Sequence, residues 1–205
     1  MSVTATATLA RVNIPRRRAV IAVAGLVAWP VIVIALHLVQ LDNYHPSRQA
    51  VSELSRGRGG ALMAVAFSAL GVGTIAFAMA LRVVSSARVA PVLFIVSGIC
   101  DFVSAIFRAD VGDTHTTTGH IHDLTGMVTF ALIIAGMFAT TRPLRKLANG
   151  RKPARVTAIW AIVAVVAFFL FPLLGDSGFG IAQRTFITSW LSWLIAGAIA
   201  MQRVS

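Results

Sequence analysis

The sequence predicts an all-α integral membrane protein, a bundle of six transmembrane helices with both termini in the cytoplasm. Two observations predict the bundle. Hydrophobic residues make up 57% of the chain and charged residues only 12%, which leaves too few polar groups for an ordinary soluble surface. In addition, six segments of about 20 residues are almost free of interior charge, and that length crosses the hydrocarbon core of a bilayer as a helix.

The six apolar segments follow one another with short connections. The first is longer than the apolar core of a typical signal peptide and no small-residue cleavage site follows it, so we expect an uncleaved span. We also expect residues 1–18 to form a basic N-terminal tail and residues 19–205 a single transmembrane domain. In chain order the predicted spans are 20–40, 60–81, 89–107, 121–141, 156–174 and 185–201.

Charged residues are sorted between the two ends of the spans and predict the orientation. Of the 18 Lys and Arg residues, 13 lie in connections that contain no Asp or Glu, and the positive-inside rule places these connections in the cytoplasm. All seven acidic residues and all five histidines lie at or near the opposite end, which we expect to face outward from the plasma membrane. The net charge of +11 then forms a basic rim beside membrane lipids, and nucleic acid is not an expected partner.

Candidate functional residues are concentrated at the predicted outer end, and their chemistry divides them into three sets. The carboxyl and imidazole groups suited to acid–base work are Asp101, Asp110, His122 and Glu53. The groups suited to binding an amphipathic substrate are Arg56, Arg184, Ser52, Asp176 and Gln183. The candidate metal ligands are His122 and His120.

Asp101 differs from the other candidates because it falls inside a predicted span. It lies about six residues, or roughly 9 Å, from the outer end of that span at a rise of 1.5 Å per residue. An ionisable group at this depth is a functional hypothesis by default. The structural alternative is a protonated carboxyl that donates a hydrogen bond to the helix backbone.

Structural alternatives also exist for the other candidates. An arginine at the outer end opposes the charge rule, so Arg184 predicts a carboxylate partner, and Asp176 is the nearest one in sequence. A salt-bridge network that ties loops to helix ends would equally explain Glu53, Arg56, Asp110, Asp176 and Arg184. His120 and His122 are two residues apart and point about 200° apart on a helix. The zinc signature of two histidines four residues apart is therefore absent.

Four short motifs resemble those of a known family. They are Ser52-Glu53-Leu54-Ser55-Arg56-Gly57, Phe107-Arg108-Ala109-Asp110, Gly119-His120-Ile121-His122, and Gly180-Ile181-Ala182-Gln183-Arg184 with Trp193. Their order is similar to that of the DUF998 family of membrane proteins. This chain has Arg108 where the family's Phe-Pro-x-Asp turn has proline, and Thr118 where its His-Gly-x-x-His pattern has the first histidine. The resemblance implies six helices with a polar outer face and supplies no established activity.

The sequence leaves three classes of function open. We favour a protein that acts on or binds a lipid-like substrate at the outer leaflet, through the candidate residues named above. The second class is a haem or redox membrane protein with His122 and His37 as ligands. The third is a non-catalytic carrier, sensor or assembly factor. The sequence determines neither a cofactor nor an oligomeric state.

Overall fold

The computed structural model describes residues 2–112 and 114–204, and for residues 2–15, 172, 176 and 204 it describes the backbone alone. These residues form helices and no strand. The first long helices are α1 (Ser2–Val39), α2 (Leu62–Val84), α3 (Val89–Ile106) and α4 (Thr117–Arg145), with a 3-10 helix (Val51–Arg56) between α1 and α2. A last helical run, Arg151–Val204, follows.

This last run is two helices joined at Gly175. The backbone there has φ 53° and ψ −164°, in the left-handed region that glycine adopts without steric cost. The break separates α5 (Arg151–Phe171) from α6 (Ser177–Arg203). With Arg16–Val39 of α1 and the helices α2, α3 and α4, six helices are long and apolar enough to cross a membrane. The predicted fold, an all-helical multi-pass membrane protein with six spans, is confirmed.

Four helices begin earlier than the sequence predicts. Helix α5 begins at Arg151 rather than residue 156, and α6 at Ser177 rather than residue 185. Helix α1 runs back to Ser2, so the described part of the predicted tail continues the first span as a helix. Helix α4 begins at Thr117, earlier than the predicted residue 121. The reason is a local cap: Thr116 Oγ1 accepts a hydrogen bond from the N–H of Gly119 at 3.0 Å, which satisfies a donor that the first helical turn leaves free.

The bundle closes because α6 returns to α1. Gln202 Nε2 in α6 donates to the carbonyl oxygen of Ala19 in α1 at 3.3 Å, so the N-terminal and C-terminal spans end on the same side. Helices α2 and α3 approach closely, as their small residues predict: a Cβ on Gly71 would lie 2.7 Å from the carbonyl oxygen of Gly98. Close backbone contact of this kind is the main source of helix association in lipid.

The bundle therefore has two distinct ends. The basic end comprises residues 16–19, 82–88, 142–155 and 202–203, and contains the start of the first span and the end of the last. The site end comprises the connections 40–61, 107–116 and 172–176. The predicted functional residues lie at the site end or in the spans directly below it.

Candidate functional site

The loop that follows α1 is organised by Glu53. Its carboxylate accepts hydrogen bonds from the N–H of Ala50 and from Gln49 Nε2, each at 2.8 Å. The bond to Ala50 satisfies a backbone donor at the start of the 3-10 helix, a common role for an acidic residue in a first turn. Both carboxylate oxygens are thus engaged within the loop. Glu53, predicted as an acid–base group, stabilises the local fold.

Arg184 of α6 is the centre of a hydrogen-bond network at the site end. Its Nη1 donates to the carbonyl oxygens of Gln49 and Gly180, each at 2.9 Å. Its Nη2 donates to the hydroxyl of Tyr44 and to His37 Nε2, the latter at 3.1 Å. Both terminal nitrogens are therefore occupied within the protein. The side chain of Asp176, the predicted partner of Arg184, lies outside the described residues.

Tyr44 and His37 have defined protonation roles in this network. Tyr44 donates its hydroxyl proton to the carbonyl oxygen of Ala50 at 2.8 Å and accepts from Arg184. Burial raises the pKa of the Tyr44 phenol, and the charge of Arg184 opposes that shift. Because His37 Nε2 accepts from Arg184, its Nδ1 carries the proton that it donates to the carbonyl oxygen of Val33 at 2.6 Å.

The motif Gly180–Arg184 holds the loop against α6. Gln183 Oε1 accepts from the N–H of Val51 at 2.8 Å, and the N–H of Ile181 donates to the carbonyl oxygen of Ser47 at 3.2 Å. A Cβ on Gly180 would lie 2.3 Å from the carbonyl oxygen of Pro46, so only glycine permits this approach. We call the loop residues 44–51 and the α6 residues 180–184 the loop clamp.

A second cluster joins the 3-10 helix to the start of α4. Arg56 Nε donates to the carbonyl oxygen of Ala109 at 2.6 Å, and its Nη2 lies 3.3 Å from Asp110 Oδ1. Asp110 also accepts from the N–H of Thr116 at 2.6 Å and from its hydroxyl at 2.8 Å. These groups lower the pKa of Asp110, the N–H of Thr116 most strongly. Asp113, the neighbouring carboxylate, lies outside the described residues.

Below the loop clamp, the bundle encloses a cavity of about 300 Å³. All six spans, together with residues of the loop after α1, contribute side chains to its wall. The polar residues of the lining are Ser52, Asp101, Ser104, His122, Asp123, Thr129 and Gln183. The aromatic residues are Trp29, Phe67, Phe130, Phe171, Phe179 and Trp190.

Several polar atoms of the residues that line the cavity have no hydrogen-bond partner among the described residues. The carboxyl of Asp101 is 4% exposed and makes no hydrogen bond with any described residue. Trp29 Nε1 and Trp190 Nε1 are buried donors that lack an acceptor. Buried polar groups are nearly always paired, so an unpaired set calls for water or a ligand.

The opening of the cavity lies on α4. Among the described lining residues only Asp123 and Met127, both on α4, are exposed. Leu124 and Val128 beside them are also exposed, at 67% and 38%, and in a membrane-spanning helix such an apolar surface faces lipid. Phe171 of α5 and Phe179 of α6 also line the cavity. The exposed rim of the cavity therefore lies on the α4 side of the bundle.

The cavity contains no nucleophile paired with a base among the described residues. His122 Nδ1 donates to the carbonyl oxygen of Phe107 at 2.8 Å, so Nε2 is the acceptor of the neutral ring. Thr125 gives its proton to a carbonyl of its own helix, and Ser104 therefore donates to Thr125 at 3.1 Å. Neither hydroxyl is activated by His122 or Asp101, as covalent catalysis requires.

The histidines do not converge on one site. His122 is buried in the cavity and meets Phe67 edge to face, whereas His120 is exposed and stacks on His115. No group of three or more His, Cys, Asp or Glu residues in the described chain is placed to hold a metal ion. Both ring nitrogens of His37 are hydrogen-bonded, Nδ1 to the carbonyl oxygen of Val33 and Nε2 to Arg184. This does not fit a role as a haem ligand opposite His122.

A wider groove of about 550 Å³ is open to the outside between α5 and α6. Its lining includes Trp160, Thr185 and Ser189. The two hydroxyls donate to carbonyl oxygens of their own helix. None of its lining residues is among the described residues whose buried side-chain atoms lack a hydrogen-bond partner, and this distinguishes the groove from the cavity.

The cavity combines predicted residues with others that sequence reasoning missed. Four predicted residues line it: Asp101, His122, Ser52 and Gln183. Five lie outside its lining: Glu53, Asp110, Arg56, Arg184 and His120. Helical spacing would have found several missed residues, since one face of α6 carries Gln183, Ile187 and Trp190, one face of α4 carries His122, Gly126 and Thr129, and α3 carries Asp101 and Ser104.

Fold and site together define a six-span membrane protein with a mostly apolar cavity that contains a few polar side chains. The family model of DUF998, described as a protein of unknown function, matches residues 22–200. The chain therefore belongs to the DUF998 family, as its four motifs predict. No curated protein and no solved structure matches the chain.

Proposed function

We propose that this protein binds a small amphipathic molecule that enters the cavity sideways from the membrane. The observation that carries the proposal is the buried, unpaired carboxyl of Asp101 in a cavity whose exposed rim lies on the lipid-facing side of α4. Concave, mostly apolar pockets with a few convergent polar groups are the usual form of small-molecule sites. An ionisable group within a span is costly and marks a functional position.

Binding accounts for this site better than hydrolysis does. Of the four predicted acid–base residues, Glu53 and Asp110 are engaged in the loop and at the start of α4. Arg56 and Arg184, the predicted ligands for an anionic headgroup, already donate to protein oxygens. The polar groups that stay available are those of the cavity, and they can orient a ligand without activating a nucleophile.

We test the cavity as the binding site with substitutions at Gly126. A Cβ added at Gly126 meets nothing within 4 Å, so Gly126→Leu extends into the opening whereas Gly126→Ala changes its shape little. We expect native mass spectrometry of the gently purified protein to detect one small amphiphile bound per chain. The bound species should persist in Gly126→Ala and disappear in Gly126→Leu. Absence of an adduct from the unsubstituted protein, or an adduct unchanged in Gly126→Leu, would contradict the proposal.

We also propose that the site end faces outward from the plasma membrane, because the basic end carries most of the Lys and Arg residues. The chain has a single cysteine, Cys100, so Cys100→Ala provides a background for labelling. In that background, Ser47→Cys tests the site end and Ser86→Cys the basic end. A membrane-impermeant maleimide should label the first in intact cells and the second only in inverted vesicles. The reverse pattern would overturn this orientation.

A further inference from the structure

The charge of the cavity selects for one kind of ligand. Its lining carries two carboxyl groups, Asp101 inside and Asp123 at the opening, and none of the described lining residues is Lys or Arg. Arg108 lines a smaller crevice that shares Phe67, Ser104 and His122 with the cavity, but its side chain is exposed. An anionic ligand would find no cationic side chain in this lining, so its charge would be buried without compensation, which is strongly unfavourable.

The aromatic wall favours a cation that also has an oxygen acceptor. Six aromatic side chains line the cavity, and aromatic faces attract organic cations within about 6 Å. Among the described residues, Trp29 Nε1 and Trp190 Nε1 lack an acceptor, and the one side-chain hydrogen bond of Gln183, from the N–H of Val51, uses its Oε1 and leaves its Nε2 free. A cation would pair with Asp101, and an oxygen on the same ligand would accept from an indole donor.

We infer that the cavity binds the head of a single-chain amphipathic amine, in which an ammonium group stands next to a hydroxyl or carbonyl oxygen. The ammonium pairs with Asp101 among the aromatic rings, the oxygen accepts from an indole N–H, and the alkyl chain leaves past Met127. The volume of about 300 Å³ is at the lower end of the range for small-molecule pockets and is too small for a whole diacyl lipid. The inference rests on the proposed function and names its ligand class.

The test titrates five probes into the protein in lipid nanodiscs and follows tryptophan fluorescence: N-octylethanolamine, octylamine, octanoate, uncharged octanediol and chainless ethanolamine. N-octylethanolamine should bind about tenfold more tightly than octylamine, since it alone accepts from an indole donor. Octanoate should show no saturable binding. Ethanolamine distinguishes the source of the amine: weaker binding than N-octylethanolamine identifies a membrane-borne ligand and equal binding a soluble one.

Two substitutions assign the contacts. Asp101→Asn should weaken both amines about tenfold or more, the effect of losing a charged hydrogen bond. Trp190→Phe retains a ring and removes the N–H, so it should lower the affinity for N-octylethanolamine to that for octylamine and leave octylamine unchanged. This second variant keeps the inference testable if Asp101→Asn fails to fold. Empty nanodiscs and Gly126→Leu correct for partitioning of the probes into lipid.

The possible failures are distinguishable. Saturable binding of octanoate or of uncharged octanediol that Gly126→Leu abolishes would overturn the amine class and leave binding in the cavity intact. Amine affinities that change in neither Asp101→Asn nor Trp190→Phe would also overturn the inference. No saturable binding of any probe would overturn both the inference and the proposed function.

Discussion

The loop clamp and the cavity both include residues of α6, but they differ in whether their polar atoms are hydrogen-bonded. In the clamp, both terminal nitrogens of Arg184 and the hydroxyl of Tyr44 are hydrogen-bonded to oxygens or to a ring nitrogen. In the cavity lining, the carboxyl of Asp101 and two indole N–H groups have no partner among the described residues. Gln183 takes part in both, since its Oε1 holds the loop while the residue lines the cavity. Paired groups stabilise a fold, and unpaired ones are available to a ligand.

The most direct test of this difference is to replace Arg184, the centre of the loop clamp. Arg184→Ala leaves the carbonyl oxygens of Gln49 and Gly180, the hydroxyl of Tyr44 and His37 without their donor. Hydrogen bonds to charged groups each contribute about 1.5–3 kcal/mol, so we expect a loss of roughly 3 kcal/mol or more. The measurement is the midpoint of thermal unfolding in a mild detergent.

Arg48→Ala is the matched control for this experiment. Arg48 lies in the same loop and is exposed, and exposed substitutions usually change stability by less than about 0.5 kcal/mol. Equal unfolding midpoints for the two variants would show that the clamp does not stabilise the site end.

Gly180→Ala tests the clamp through its shape and should have the next largest effect. The added Cβ would lie 2.3 Å from the carbonyl oxygen of Pro46 and 2.7 Å from that of Gln49, and neither backbone atom can move without displacing the loop. Overpacking of this kind costs about 1–3 kcal/mol. Gly126→Ala, where the new methyl meets nothing within 4 Å, should be neutral or stabilising by up to about 1 kcal/mol. Equal stability of the Gly180→Ala and Gly126→Ala proteins would refute the close approach of the loop backbone to Gly180.

Asp101→Asn tests whether the unpaired carboxyl of the cavity contributes to stability, and we expect a smaller change in stability than for the clamp variants. Because the carboxyl of Asp101 has no partner among the described residues, its replacement by a neutral amide of the same shape removes no protein hydrogen bond. We expect unchanged or slightly higher stability, within about 1 kcal/mol, although ligand binding is weakened. The thermal midpoint without added ligand measures this. A decrease comparable to that of Arg184→Ala would place Asp101 among the structural residues.

The helix bundle could be predicted from the sequence, whereas the structural or ligand-binding role of each polar residue could not. Apolar length and charge sorting are local properties of the chain, so the six spans and the polar connections could be predicted from them. Whether a polar side chain at the site end is paired depends on helices distant in sequence: Arg184 meets Gln49, and Arg56 meets Asp110. The order of residues places Asp101 within a span but does not separate His122 from the paired residues. Only the geometry assigns the first group to the clamp or the α4 cap and the second to the cavity.

The smallest predicted effect concerns Asp110, a paired carboxyl outside the cavity. The N–H of Thr116 first, and then its hydroxyl and Arg56, lower the pKa of Asp110 below its ordinary value, which is about 3.9 in an unfolded chain. The contribution of this carboxylate to stability is therefore complete above the unfolded value and is lost as the pH falls through the lower folded value. Asp110→Asn should lower the thermal midpoint at pH 6, and the difference from the unsubstituted protein should shrink as the pH falls below about 4. Asp42→Asn, an exposed loop carboxyl at the same end, controls for net charge. A difference that grows on acidification would mean that Asp110 destabilises the start of α4, and that unpaired carboxyls are not confined to the cavity.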